Sequence, residues 1–275
     1  MNTYFIGSLY PEDRIQAIRS NCKEGGIDNA ANNFQWALIK GLDFYYSNLK
    51  IITQPNLRTF PLYYKKVMVK ESKFSHIKGA NDECIGYINI PIVKHISKYI
   101  TLISKLKSTI PQQEKSLIIV YGVSSPFIKA VSELKQSGWH KIEICLIVPD
   151  LPQYMLDTKN ILYYNLKKID LKIIKKHMSQ IDSFVFLTKY MADFIKVKSR
   201  PWIVVEGVIN NNNNNTFEVK KEKYKTILYT GNLDERYGVL TLLEAFKLIN
   251  DKNYRLWIRG NGKTKDRVIE EALMD

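Results

Sequence analysis

Two runs in this chain, ICLIV at 144–148 and FVFL at 184–187, are apolar at every position instead of alternating with polar residues. Successive side chains of a strand point to opposite sides of its sheet, so strands of this kind have to be covered on both faces. Strand-like segments recur at Thr3–Ile6, Leu49–Thr53, Leu117–Tyr121, Ile142–Val148, Ser183–Leu187 and Trp202–Val205, and again at Thr226–Thr230 and Tyr254–Ile258. Helical patterns lie between them. Phe127, Ala130, Val131 and Leu134 repeat at i, i+3, i+4 and i+7, with Ser125 as the expected N-cap, Pro126 in the first turn and Gly138 just past the end. Repeated strand–helix–strand order predicts parallel sheets with right-handed crossovers, that is, doubly wound α/β domains.

A chain of 275 residues has room for two such domains. Six asparagines, Asn210 to Asn215, interrupt the ordered patterning and are followed by the charged run EVKKEKYK. An asparagine tract buries nothing apolar and favours turns, so it reads as a linker. The expected organisation is a first domain over 1–209, an Asn-rich linker over 210–225 and a second domain over 226–275. The last of these holds only strand, helix, strand and the start of a helix, half of a doubly wound sheet, and on that pattern the chain reads as C-terminally truncated. The apolar runs fall far short of the roughly 18 residues that cross a bilayer. The start, MNTYFIGSLYPEDR, lacks the basic and apolar regions of a secretory leader. Cys22, Cys84 and Cys145 are odd in number and widely spaced, which argues against a disulfide framework or a cysteine zinc site and for a reducing cytosol.

The net charge of +14 is uneven: residues 1–215 carry 29 Lys/Arg against 17 Asp/Glu, while the remainder is close to neutral. Such asymmetry concerns partners, not fold. The densest stretch, ILYYNLKKIDLKIIKKHMSQ at 161–180, places Leu162, Leu166, Ile169, Ile173 and Ile174 on one helical stripe, with Lys167, Lys168, Lys172, Lys175 and Lys176 mostly off it. It reads either as a solvated face on a core-packed helix or as a contact for anionic lipid heads. A nucleic-acid partner rests on charge alone, with no aromatic RNA-binding motif and no zinc spacing to support it.

Several segments carry candidate chemistry. Gly25 and Gly26 precede a helix expected to start near Asp28, where free N–H groups favour an anion, although a plain loop reads equally from the pair. In ILYTGNLDERYGVLTLLEAFKLI (227–249), Gly231 ends a strand and Gly238 opens a helix whose stripe is Val239, Leu242, Leu243, Phe246 and Ile249. The loop between them lies at a strand's carboxyl end, where open α/β sheets bind ligands, and Arg236 in it is placed to meet a diphosphate or to sit in solvent. Gly260-x-Gly262 in WIRGNGKTKDR lets the end of another strand turn sharply near a ligand, which puts both glycines with Gly231, Asn232, Arg236 and Gly238 as donor-binding candidates; Trp257 occupies the first glycine of a P-loop, which excludes that nucleotide cradle. Asp150, between Pro149 and Pro152, is either an acceptor-side base at a strand's carboxyl end or an ordinary loop carboxylate or helix cap. His76, His95, His140 and His177 have no metal spacing.

Taken together, GGIDNAANNFQWALIKGL, VPDLPQYM, DSFVFLTKYMADFI, WIVVEGV, YTGNLDERYGVLTLLEAFKLI and LWIRGNG resemble the group 1 (family 4) glycosyltransferases of GT-B fold, nearest to bacterial enzymes of capsular or exopolysaccharide assembly. The resemblance implies two Rossmann-like domains facing across a cleft, the second incomplete here. The second domain would bind a nucleotide-sugar, and the first would bind most of a glycan or lipid-linked acceptor. It implies retention at the anomeric carbon and no metal or other cofactor, the departing diphosphate being held by main-chain N–H groups and basic side chains. By position, Gly25 and Gly26 resemble the glycine-rich loop near the donor phosphates, and Asp150 falls where an acceptor-side acid or base is found. Gly231 and Gly238 match the G-R-L-x-x-x-K-G turn, in which Asn232 and Tyr237 replace the arginine and lysine and Arg236 is a partial substitute. The family's E-x7-E segment has no counterpart within the 275 residues. The expectation is a cytoplasmic transferase of surface glycan synthesis, peripheral on the inner face of the membrane. The alternative is a non-catalytic remnant that binds acceptor or membrane only.

Overall fold

The computed structural model describes residues 1–23, 26–151, 161–209, 223–249 and 251–273. The chain divides into two compact units, Met1–Asn211 and Asn212–Asp275. The asparagine tract and most of the 210–225 segment lie outside the described residues.

The first unit runs β1 (Asn2–Gly7), α1 (Ile15–Asn21), α2 (Asn29–Asp43), β2 (Leu49–Thr53), β3 (Met68–Val69), β4 (Ser72–Phe74), β5 (Asp82–Cys84), β6 (Tyr87–Ile88) and α3 (Val93–Thr109). It continues through β7 (Ser116–Tyr121), α4 (Ser125–Gln136), β8 (Ile142–Val148), α5 (Ile161–His177), β9 (Ser183–Phe186), α6 (Tyr190–Ile195) and β10 (Trp202–Val204). Eight strands form one sheet in the order β10-β9-β8-β7-β1-β2-β5-β4, parallel throughout except at the β4–β5 edge. From β1 the chain moves outward to β2 and β5, then returns to the other side of β1 with β7 and continues to β10. This reversal sets a topological switch point between β1 and β7, where loops leave the sheet towards opposite faces.

The apolar runs are explained by cover on both faces. Phe5, Ile51, Ile119 and Ile147 pack under Ile39 of α2 on one side. Tyr4, Ile6, Val120 and Leu146 pack on the other side with Leu102 and Leu106 of α3 and Phe127, Val131 and Leu134 of α4. Each such side chain contributes about 1.5–3 kcal/mol on burial. The N-cap of α4 is Ser124 and not Ser125; the Ser125 hydroxyl instead donates to Asp170 on α5. Along α5, Ile174 is buried but Ile169 is exposed; the helix meets α4 at Asp170, bonded to Ser125, and at His177, whose Nδ1 lies 3.0 Å from the Ser132 hydroxyl. The expected stripe there is corrected accordingly.

The sequence pattern assigns no individual element between Thr53 and Leu117, where the structure places four short strands and α3. Asp82, wholly buried, organises this region. Its carboxylate accepts from the backbone N–H of Ile51 (2.8 Å) and of His76 (2.8 Å) and pairs with His76 Nδ1 (2.6 Å), while His76 Nε2 pairs with Asp43 (3.1 Å). Burial opposes a charge on the imidazole, but the two carboxylates outweigh it and the His76 pKa lies above the ordinary value. A raised folded pKa contributes stability that is complete below the unfolded value near 6.5 and is lost as pH rises through the folded value. His76→Gln is therefore expected to flatten the fall in melting temperature between mildly acidic and mildly alkaline pH. It is also expected to cost about 3 kcal/mol at pH 6, as removal of one partner of a buried pair does. Thermal unfolding across that pH range checks both; an unchanged pH slope would show that His76 stays neutral.

The second unit comprises β11 (Lys225–Asn232), α7 (Val239–Lys247), β12 (Tyr254–Asn261) and α8 (Lys265–Leu273). β11 and β12 pair in parallel from Lys225↔Tyr254 to Asn232↔Asn261. Leu233, Val239, Leu240, Leu243 and Val268 form its core with Tyr229, Leu256 and Ile258. Leu240 joins that core, whereas Ile249 lies past the end of α7 and is exposed, so the expected stripe is rotated. Leu228 and Trp257, on the opposite face of the strand pair, are exposed.

Candidate functional site

Each unit builds its own constellation at the carboxyl ends of its strands. In the second unit Gly231 and Gly260 are register partners, as are Asn232 and Asn261. A methyl group on Gly260 would overlap the Gly231 carbonyl oxygen, and one on Gly262 would lie 2.6–2.7 Å from the Leu233 carbonyl carbon, Asn232 Oδ1 and Asp234 N. These glycines let two turns close on each other. Leu233 N donates to Asn261 O (3.0 Å), Thr264 N to Leu233 O (3.2 Å), and Lys263 N to the Asp234 carboxylate (2.7 Å).

Asn232, expected on the donor side, also builds this turn: its side-chain oxygen accepts from Asp234 N (2.9 Å), and its carbonyl accepts from the Tyr229 hydroxyl (2.7 Å). Gly238 serves differently. It adopts φ +74, a left-handed conformation that favours glycine, has open space around it, and opens α7. Arg236, exposed in the same loop, donates to the Tyr237 hydroxyl (2.9 Å) and lies over its ring at 4.8 Å. The N-termini of α7 and α8 thus each follow the end of one of the paired strands, α7 after a loop with a short 3-10 turn at Glu235–Tyr237 and α8 after three residues. Their first N–H groups have no carbonyl four residues earlier within the helix, and the helix dipole adds positive potential there. The arrangement suits a phosphate-bearing ligand.

In the first unit the constellation lies at the switch point. Asp28 caps α2, its side chain accepting from Ala31 N (3.1 Å). Two buried polar residues of α2 hold the loop after β1: Gln35 accepts from Ser8 N and Asn32 from Tyr10 N, each at 2.9 Å. The Tyr10 hydroxyl, its pKa pushed up to about 12 by burial, donates to Asn56 O (2.7 Å). Ser8, Tyr10, Asp28, Asn32, Gln35 and Asn56 line a small polar pocket there.

Tyr121, the last residue of β7, is buried. Burial raises its pKa, and the carboxylates of Asp28 and Asp150 raise it further. Pattern reading hides this environment because Tyr121 counts there only as the apolar end of a strand. Asp150 is exposed, two residues beyond the end of β8. Gly26 is described, with φ +54 and open space around it, two residues before Asp28. Gly25 and the part of VPDLPQYM beyond Leu151 lie outside the described residues.

Two lysines of α3 add a feature absent from the sequence reading. Burial lowers the Lys94 pKa to about 8, and Lys94 donates to Leu57 O. Lys98, whose pKa is lowered chiefly by burial and then by Lys94, donates to Gln54 O (3.1 Å) and Pro55 O (3.3 Å). They pin the loop at the carboxyl end of β2. Among the described residues no group of three or more His, Cys, Asp or Glu is placed to hold a metal ion, and no helix is long and apolar enough to cross a membrane.

Residues 210–274 match the family model described as glycosyl transferases group 1. No curated protein sequence matches the chain. Among solved structures, sucrose-phosphate synthase from Thermosynechococcus elongatus matches with a TM-score of 0.58 at 13% identity, over 100% of this chain and 67% of that one. A variant of S. aureus TarM, in complex with fondaparinux, alpha-GlcNAc-glycerol and UDP, matches with 0.52 at 9% identity, over 100% and 75%. The alpha,alpha-trehalose 6-phosphate synthase from Burkholderia multivorans matches with 0.53 at 9% identity, over 99% and 67%. At such identities the likeness shows the fold, the α/β architecture of GT-B glycosyltransferases.

Proposed function

We propose that this chain is a glycosyltransferase that moves a sugar from a nucleotide-sugar to a glycan or lipid-linked acceptor in surface glycan synthesis, with retention at the anomeric carbon. The observation that carries the reading is the glycine-closed double turn at the ends of β11 and β12, which leads into α7 and α8 within the segment matching the glycosyltransferase family. In this reading, the N–H groups at those helix starts hold the donor diphosphate, and Arg236 swings from Tyr237 to meet it. Charge developing on the leaving group is then stabilised by oriented dipoles without a metal ion or other cofactor. UDP in the TarM complex is consistent with this donor class.

Asp150 takes or orients the proton of the acceptor hydroxyl, and the neutral Tyr121 phenol donates to a carboxylate or acceptor oxygen beside it. The proposed setting is the cytoplasm, peripheral on the inner face of the membrane and close to lipid-linked acceptors. Nucleic acid has no place in the reading. The proposed division of labour follows the boundaries 1–209, 210–225 and 226–275.

Incubating the chain with a panel of UDP-, GDP- and ADP-sugars, with titration calorimetry in parallel, tests the proposal. Saturable binding of one donor and slow donor hydrolysis are the expected results; no binding across the panel would overturn it. A second reading, binding without catalysis, is favoured by one observation. The arginine and lysine positions of the family's phosphate turn are Asn232 and Tyr237, and Asn232 is committed to the turn itself. Donor binding without turnover of any acceptor would select that reading.

A further inference from the structure

Helix α3 is apolar on two sides. Leu102 and Leu106 face the core, while Ile96 and Ile100, one turn apart on another face, are 57% and 54% exposed. The exposed row extends beyond the helix. Ile92 precedes it by one further turn and is 53% exposed, and Ile88 and Ile90 are exposed in the segment leading to it. Across the β3–β6 ribbon Met68 is the register partner of Ile88, and both are exposed; Val67, also exposed, accepts at its carbonyl from Asn89 N (2.7 Å). The ribbon is tied to the helix by Ile88 N donating to the Ser97 hydroxyl (2.9 Å) and by Lys94 N donating to Ile90 O (2.9 Å). These contacts make one continuous apolar ridge.

Two further features mark the ridge as more than scattered surface residues. Ile92 is held at φ +67, where a β-branched residue is strained, so the fold keeps this side chain presented against its own backbone preference. The exposed charge around the ribbon is mostly positive. Residues 58–109 contain ten Lys/Arg and three Asp/Glu; of the cations, Lys94 and Lys98 are held on backbone carbonyls and Lys105 pairs with Glu83. Of the acids, Asp82 is locked to His76 and Glu83 to Lys50 and Lys105, which leaves Glu71 as the acid exposed to solvent. Lys65, Lys66 and Lys70 are exposed immediately beside Val67 and Met68.

We infer that this ridge docks the first unit onto an anionic lipid bilayer, with the isoleucines entering the headgroup boundary and the lysines meeting the anionic heads. Apolar side chains rimmed by lysine match that interface. A second copy of the chain would set the same lysine rim against itself, which disfavours a symmetric dimer. The inference rests on the proposed lipid-linked acceptor for its biological sense and locates the membrane contact on α3 and the ribbon instead of on α5.

Co-sedimentation of the full chain with phosphatidylcholine vesicles, with and without 30% phosphatidylglycerol, tests it. Binding to the anionic vesicles that weakens with salt is expected. Ile96→Ser combined with Ile100→Ser should lower partitioning at least about tenfold at an unchanged melting temperature. Lys65→Glu combined with Lys66→Glu should remove the preference for anionic lipid. Equal partitioning of wild type and the serine variant overturns the inference, as does a wild type that dimerises through this face and ignores vesicles. Vesicle binding is read without nucleotide and nucleotide binding without vesicles. A chain that binds a nucleotide-sugar but no vesicle refutes the docking surface alone; one that binds vesicles but no nucleotide-sugar refutes the transferase reading alone.

Discussion

Asp150→Asn is expected to lower sugar transfer by about 10²–10⁴-fold, the usual contribution of a positioned acid or base. Donor affinity should not change, because the proposed role of Asp150 is on the acceptor side. The carboxylate stands just beyond β8, after the buried Val148, and shares its surroundings with the neutral phenol of Tyr121 and the helix-capping Asp28. Asparagine keeps the shape and the hydrogen-bonding reach but cannot take a proton. The loss should therefore fall on kcat, with KM for the donor preserved. Tyr121→Phe is the companion experiment. It removes the hydroxyl while keeping the ring, and should lower the rate less than Asp150→Asn does. Full activity in Asp150→Asn would reduce the residue to an ordinary loop carboxylate.

Gly260→Ala should abolish nucleotide-sugar binding. The new methyl would lie 1.9 Å from the Gly231 carbonyl oxygen, and the obstructing atom is backbone, which cannot swing aside as a flexible side chain does. Overpacking of this kind costs about 1–3 kcal/mol even where side chains relax. Here it falls on a unit whose sheet has two described strands, so little reserve exists to absorb it. Hydrogen exchange should show lost protection over 225–273 and an unaffected first unit. Gly238→Ala provides the contrast, since it has open space and meets only the strain of φ +74, about 1–2 kcal/mol. Its effect should be weakening and not loss. Retained binding in Gly260→Ala would mean that the donor does not depend on the closed turn.

The central strands of the first unit were legible because burial on two faces leaves an unbroken apolar signature, whereas β11 and β12 carry the same apolar runs with Leu228 and Trp257 exposed on one face. The observed β2 and β8 coincide with the segments expected from it. Helix α3 was not legible for a related reason: with isoleucine outward and leucine inward, no single stripe stands out. The short strands β3 to β6 are two or three residues long, below the length at which any period shows. In the donor-side turn, Gly231, Asn232, Gly260 and Gly262 do converge. What spacing could not convey is that Asn232 spends its side chain on Asp234 N and that Gly260 and Gly262 make room for backbone. Tyr121 and the pinning amines of Lys94 and Lys98 depend on three-dimensional neighbours, about which a linear pattern carries no information.

The switch point between β1 and β7 has an engineering corollary. Every segment that would touch a substrate of the first unit leaves the sheet at one rim, while the turns at the opposite rim do no more than reconnect helices to strands. Grafting foreign loops after β7 and β8 should reprogram which hydroxyl compound is accepted. Peptide tags inserted at Gly138, on the far rim, should pass without consequence for either folding or selectivity.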